Sequence, residues 1–228
     1  QRKILEKLIK PKIKNLDIHE TNGMPDTDLL PWWSINIMKK KYQNKSISHF
    51  MFIEDDILVN SKNICYWIYF RKILKNFNLV PGFLRYENYK KNFYAVDYQK
   101  KIFLNKCPKI QTDNNDSGFI NPKFPYTAMY LMDRELMREY LNSNAVKIDF
   151  SFTNNFLKSR APIKELLNIS YAFLNVPKGF FNKLMIPYHK DNKIPNYCLV
   201  EHTDIKYANS KKLKNMGFGK IKVKDLIN

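Results

Sequence analysis

The sequence predicts an α/β protein built on a mixed sheet. Short apolar runs with strand character alternate along the chain with segments of helical periodicity. Hydrophobic residues make up 44% and aromatics 14% of the 228 residues, well above what a disordered chain carries. Six glycines and eleven prolines leave few breaks. The length suits one domain, and no internal repeat or Gly-, Ser- or Pro-rich linker divides it. Residues 1–228 are therefore expected to form a single unit.

Residues 1–18 read as a basic helical piece followed by a short strand, IKNLDI. The loop HETNGMPDTDLLP leads into a helix from Trp32 to Tyr42, with Trp33, Ile35, Ile37 and Met38 apolar and a basic end. FMFI, at 50–53, reads as a buried strand. Ser61 is the expected N-cap of the helix NICYWIYFRKILKNF, whose positions Ile64, Trp67, Ile68, Ile73, Leu74 and Phe77 suit packing. LVPGFLRYE and FYAVDYQKKIFL read as two strands. A polar loop, QTDNNDSGFINPKFP, precedes the strand YTAMYLM and the helix DRELMREYL. Asp149 to Phe173 reads as helix with a break at Ala161-Pro162. From Pro187 the tail reads as loop, with short extended pieces at CLVEH and KIKVKDLI.

Charge narrows the partners. The formal charge of +18, from 39 Lys and Arg against 21 Asp and Glu, predicts attraction to phosphate-bearing partners: nucleic acid, anionic lipid or nucleotides. Cys65, Cys107 and Cys198 lie at wide spacings without a CxxC pair, which reads as reduced thiols rather than a zinc site. No apolar run approaches the roughly 20 residues that span a bilayer, and the chain does not open on a signal-peptide pattern. The expected location is the cytoplasm, with peripheral contact at an anionic membrane surface.

Against this basic background stands MFIEDDILV, in which Glu54, Asp55 and Asp56 interrupt an apolar run. Three adjacent carboxylates repel one another unless a cation is supplied, and burying them unpaired is costly. Mg²⁺ or Mn²⁺, held by one or two carboxylates and substrate phosphates, supplies it. Strand geometry places Glu54 and Asp56 on one face and Asp55 on the other. In an open α/β sheet ligands bind beyond the carboxyl ends of the strands, where this triplet would sit.

A strand ending in an acidic triplet and followed by a helix resembles the DXD-type motif of GT-A-fold glycosyltransferases, metal-dependent enzymes that use nucleotide-diphosphate sugars. The resemblance covers roughly residues 30–220. It implies a three-layer α/β/α fold with a mixed, mostly parallel sheet, in which residues 1–60 form the donor side and 61–228 the acceptor side. It implies Mn²⁺ or Mg²⁺ at Glu54 and Asp56, with a histidine near the C-terminus as third ligand. His202 in CLVEH is the first choice and His189 in IPYHKDN the alternative. Asp55, with Arg160 and Lys164, joins Glu54 and Asp56 in binding the donor diphosphate. Arg85 and Tyr86 lie on the strand after the motif helix. Glu165 is the expected base on the acceptor hydroxyl and Asp149 the second choice. Asp116 and Tyr126 would face the acceptor. Only 53 residues precede Glu54, whereas two βα units take roughly 30 residues each. This predicts a shortened or N-terminally incomplete nucleotide half, with Asp26 and Asp28 as the nearby candidates for the nucleoside.

The expected activity is transfer of a sugar from a nucleotide-diphosphate donor to a glycan or lipid-linked acceptor. Two other readings compete. A basic nucleic-acid-binding protein would use the positive charge and fourteen tyrosines, but the basic residues are scattered, and no specific nucleic-acid partner is expected. A non-catalytic relative would keep the fold without a complete donor pocket.

Overall fold

The apolar runs of the sequence become short strands that pair mainly with neighbours distant in the chain. The computed structural model describes residues 30–112, 117–123, 126–143, 146 and 175–228. Asp26, Asp28, Asp116, Asp149, Arg160, Lys164 and Glu165 lie outside the described residues. The elements are α1 (Leu30–Tyr42), β1 (His49–Ile53), β2 (Ile57–Leu58), α2 (Ser61–Leu74), β3 (Val80–Pro81), β4 (Leu84–Tyr89) and β5 (Asn92–Ala95). They continue with β6 (Lys109–Gln111), β7 (Ser117–Ile120), β8 (Met129–Asp133), α3 (Arg134–Leu141), β9 (Leu184–His189), β10 (Leu199–His202) and α4 (Lys211–Asn215).

The class is mixed α/β, with three sheets ordered β1-β8, β2-β10-β4-β5 and β3-β9-β7-β6. The expected predominance of parallel strands does not hold among the described residues. Only β10 with β4 and β3 with β9 run parallel, and the other pairings are antiparallel. Parallel neighbours need a long crossover, whereas antiparallel ones close through tight turns. The β4–β5 hairpin shows this: Lys90 and Lys91 both take the left-handed conformation (φ 49° and 60°), the pair that suits a two-residue hairpin turn.

LVPGFLRYE is two strands, not one, because the chain changes sheets at Gly82. The Gly82 N–H donates to the Met185 carbonyl at 2.8 Å, and its carbonyl accepts from the Tyr66 hydroxyl at 2.9 Å. A β-carbon there would come within 3.0 Å of Ile186. The tail expected to be loop from Pro187 contains the last part of β9, a mostly buried strand that pairs with both β3 and β7.

Helix α2 starts one residue earlier than Ser61 suggested. Asn60 is the N-cap: its side chain accepts from the N–H groups of Lys62 and Asn63, while Asn63 Oδ1 accepts from the Asn60 N–H at 2.9 Å. The buried face is Asn63, Tyr66, Trp67, Arg71 and Leu74, at helical spacing, whereas Ile68, Ile73 and Phe77 remain exposed. Leu74 and Leu79 are fully enclosed, worth roughly 2 kcal/mol each relative to exposure. Buried Arg71 is satisfied by Asp133 at 2.8 Å and the Leu79 carbonyl at 3.1 Å, and Asp133 also caps α3 through the Leu136 N–H. Among the described residues, no helix is long and apolar enough to cross a membrane.

Candidate functional site

The acidic triplet occupies a turn between two sheets, not the interior of a strand. β1 pairs with β8 and β2 with β10, and the Ile57 N–H donates to the Glu54 carbonyl at 3.2 Å to close the turn. Strand alternation therefore does not set where the three carboxylates point. Asp55 is exposed. Glu54 continues the β1 ladder, its N–H donating to the carbonyl of Ala128 at 3.1 Å. Ala128 sits there in the left-handed region (φ 54°), a conformation that costs an alanine about 1 kcal/mol. The Glu54 carboxylate accepts from the Tyr126 hydroxyl at 3.3 Å.

Asp56 is joined by the histidine expected from the far end of the chain. His202 closes β10, opposite Ile57 in the ladder, and its Nε2 lies 3.1 Å from Asp56 Oδ2. The fold ties these segments together at a second point. The Thr203 N–H donates to the Asp56 carbonyl at 2.8 Å, and the Asn63 amide donates to the carbonyls of Tyr197 and Leu199, both at 2.8 Å. The start of α2, just after the triplet, is thereby fastened to the start of β10.

His202 is wholly buried, and its other nitrogen, Nδ1, is 2.8 Å from Glu87 Oε1. Glu87 is also wholly buried and accepts from the backbone N–H groups of Tyr207 (3.1 Å) and Ala208. Burial alone would raise the Glu87 pKa, but the bonds from His202 and those two amides hold it below the ordinary carboxylate value. An ionised carboxylate only accepts, so Nδ1 carries the proton and Nε2 is turned toward Asp56 with its lone pair or its second proton. Yet Nε2 makes no hydrogen bond of acceptable geometry, and Asp56 Oδ1 is buried without a partner. Two buried polar atoms on these neighbouring side chains thus lack hydrogen-bond partners, which is uncommon for buried polar groups.

Around this pair lies a second polar layer. Lys206 Nζ is 3.7 Å from Asp56 Oδ2 and half-exposed. On β4, two residues before Glu87, Arg85 forms a two-pronged pair with Asp97 and lies over the rings of Tyr126 (5.0 Å) and Tyr207 (5.6 Å). Burial raises the Asp97 carboxyl despite the guanidinium, and the charge of Asp97 raises Arg85 although burial opposes it. Arg85 is thus a buried structural cation that braces Tyr126. Tyr86 turns to the opposite face and donates to Glu201 at 3.3 Å.

Of the residues expected at the site, Asp56 and His202 meet, while Glu54 and Tyr126 contact each other beside them. His189 is the exposed last residue of β9, and its N–H closes the following turn by donating to the Lys193 carbonyl. Among the described residues, no three His, Cys, Asp or Glu side chains converge to hold a metal, so the three-ligand set of Glu54, Asp56 and His202 is not assembled. Glu87, Asp97, Lys206 and Tyr207 escaped the sequence reading. RYENY gave no sign that its glutamate would lie under a histidine 115 residues away. Compared with models of protein families, with curated proteins and with solved structures, the chain matches none.

Proposed function

We propose that the protein is a metal-dependent glycosyltransferase of GT-A-like fold, taking a sugar from a nucleotide-diphosphate donor to a glycan or lipid-linked acceptor. The observation that carries this reading is the pairing of Asp56 with His202, each presenting a buried polar atom without a hydrogen-bond partner. Mg²⁺ and Mn²⁺ sites often take only one or two protein ligands and fill the rest with substrate phosphates and water. Asp56 and His202 fit such a site, though not a closed protein cage.

Asp56 Oδ2 or Oδ1 and His202 Nε2 would hold the cation. Glu87 keeps the imidazole in the tautomer that offers Nε2. When bound, the cation neutralises charge on a departing nucleoside diphosphate. Lys206, reaching toward Asp56 from the solvent side, adds a positive charge where phosphate oxygens would lie. Asp55, exposed at the tip of the turn, faces solvent on the donor side. Glu54 and Tyr126 form a polar wall with Arg85 behind it. Glu165 and Asp149 stay the proposed bases, with Arg160 and Lys164 on the diphosphate and Asp116 on the acceptor.

Thermal melting with UDP, GDP, ADP and CMP, each with and without Mn²⁺, tests the reading, because a ligand that binds only the folded state raises the midpoint. One nucleotide should stabilise the wild type only with Mn²⁺, and Asp56→Asn should abolish the effect. No shift with any nucleotide would instead favour a non-catalytic domain.

A further inference from the structure

We propose that the β4–β5 hairpin and the segment 211–224 together form a surface that docks the protein on an anionic lipid bilayer. Between Lys211 and Lys224 there are six lysines and no acidic residue, and NYKKNFY, residues 88–94, adds two more lysines without an acid. The fold joins these separate stretches. The Ala95 N–H donates to the Ile221 carbonyl at 2.8 Å, Tyr94 bridges to Lys222, and Lys214 Nζ lies 5.3 Å and 5.5 Å from the rings of Tyr89 and Tyr94. Among the described residues, none of these eight lysines is in an ion pair. Most of them are exposed.

Lipid headgroups fit this surface better than nucleic-acid bases. A single strand binds by stacking bases on free aromatic faces, but the Tyr89 ring is approached by Lys90 at 5.2 Å as well as by Lys214, and Tyr94 by Lys214. The rings serve to hold ammonium groups. What remains outward is lysine together with Phe93 and Met216, which are 40% and 56% exposed. Basic residues around a few protruding apolar ones suit a membrane interface, where ammonium groups meet phosphates and apolar side chains enter the headgroup boundary. Tyr94 pairs in register with Glu87, so the surface continues from the strands that support His202. The proposal does not depend on the metal reading.

The test is sedimentation of the full chain with phosphatidylcholine vesicles containing 30% phosphatidylglycerol and with phosphatidylcholine alone. The patch variant is Lys211→Glu/Lys212→Glu/Lys220→Glu, and the control Lys39→Glu/Lys40→Glu/Lys62→Glu reverses three exposed charges elsewhere. The expected result is binding only to the anionic vesicles, weakened by salt. The patch variant should lose affinity about a hundredfold, since each of the three lysines near an anionic surface contributes about fivefold, while the control loses much less. Circular dichroism and the melting midpoint without ligand should be the same in both variants. Absence of binding to anionic vesicles, equal losses in the two variants, or patch-dependent binding to duplex or single-stranded oligonucleotides without vesicle binding would each overturn the proposal.

Discussion

Glu87 holds His202 by its Nδ1 at 2.8 Å, and both side chains are removed from solvent. The carboxylate accepts two backbone N–H groups as well, so one residue fixes the histidine and the turn that follows it. Glu87→Gln places an amide N–H₂ among donors and is expected to cost about 2–3 kcal/mol in urea unfolding. Nitrogen chemical shifts of His202 in the metal-free wild type should report the proton on Nδ1. A proton found on Nε2 of the neutral ring would contradict the assignment.

Asn63 spends both amide hydrogens on the carbonyls of Tyr197 and Leu199 and its oxygen on the cap of α2. Asn63→Ala leaves those carbonyls buried without a donor. The expected loss is about 2–4 kcal/mol in denaturant unfolding. Weaker nucleotide binding should accompany it, because the link between the acidic turn and β10 is loosened.

Arg85 and Asp97 form a buried pair, so removing one member strands the other. Arg85→Met should destabilise by about 3–5 kcal/mol, whereas Arg85→Met/Asp97→Leu should recover most of that loss, as apolar replacements of buried pairs commonly do. A double variant as unstable as the single one would show that Arg85 acts through Tyr126 and Tyr207 instead.

Burial pushes the phenols of Tyr130 and Tyr197 up to about 12, and those of Tyr66 and Tyr98 also above the ordinary value near 10. Above pH 10 the unfolded chain sheds protons that the native state retains, so stability falls as pH rises. The contribution is complete below pH 10 and is lost between about 10 and 12. Melting curves from pH 8 to 12, with tyrosinate absorbance followed in parallel, should show these phenols ionising only on unfolding. Ionisation of all tyrosines near pH 10 in a still-folded chain would contradict this.

The sequence made the two ends of the site legible for different reasons. Glu54 to Asp56 stood out because three adjacent carboxylates conflict with both their apolar flanks and a basic chain. His202 stood out by its place at the end of a short apolar run. Their supports were hidden, since Glu87 and Asp97 acquire meaning only when β4 lies beside β10. β9 was obscured by Pro187, which argues locally against a strand. The fold accommodates it because β3 pairs only with Leu184 and Met185, leaving that side of Pro187 without a β3 partner. The sheet changes at Gly82 and in the acidic turn likewise depend on long-range pairing, which periodicity does not register.

The most direct measurement is electron paramagnetic resonance of free Mn²⁺ during titration of the protein with saturating nucleoside diphosphate, for the wild type, Asp56→Asn and His202→Gln. The expected result is nucleotide-dependent uptake of about one Mn²⁺ per chain, lost in both variants. Uptake that persists in both variants, or none in the wild type with any of the diphosphates, would contradict a metal and diphosphate site at Asp56 and His202.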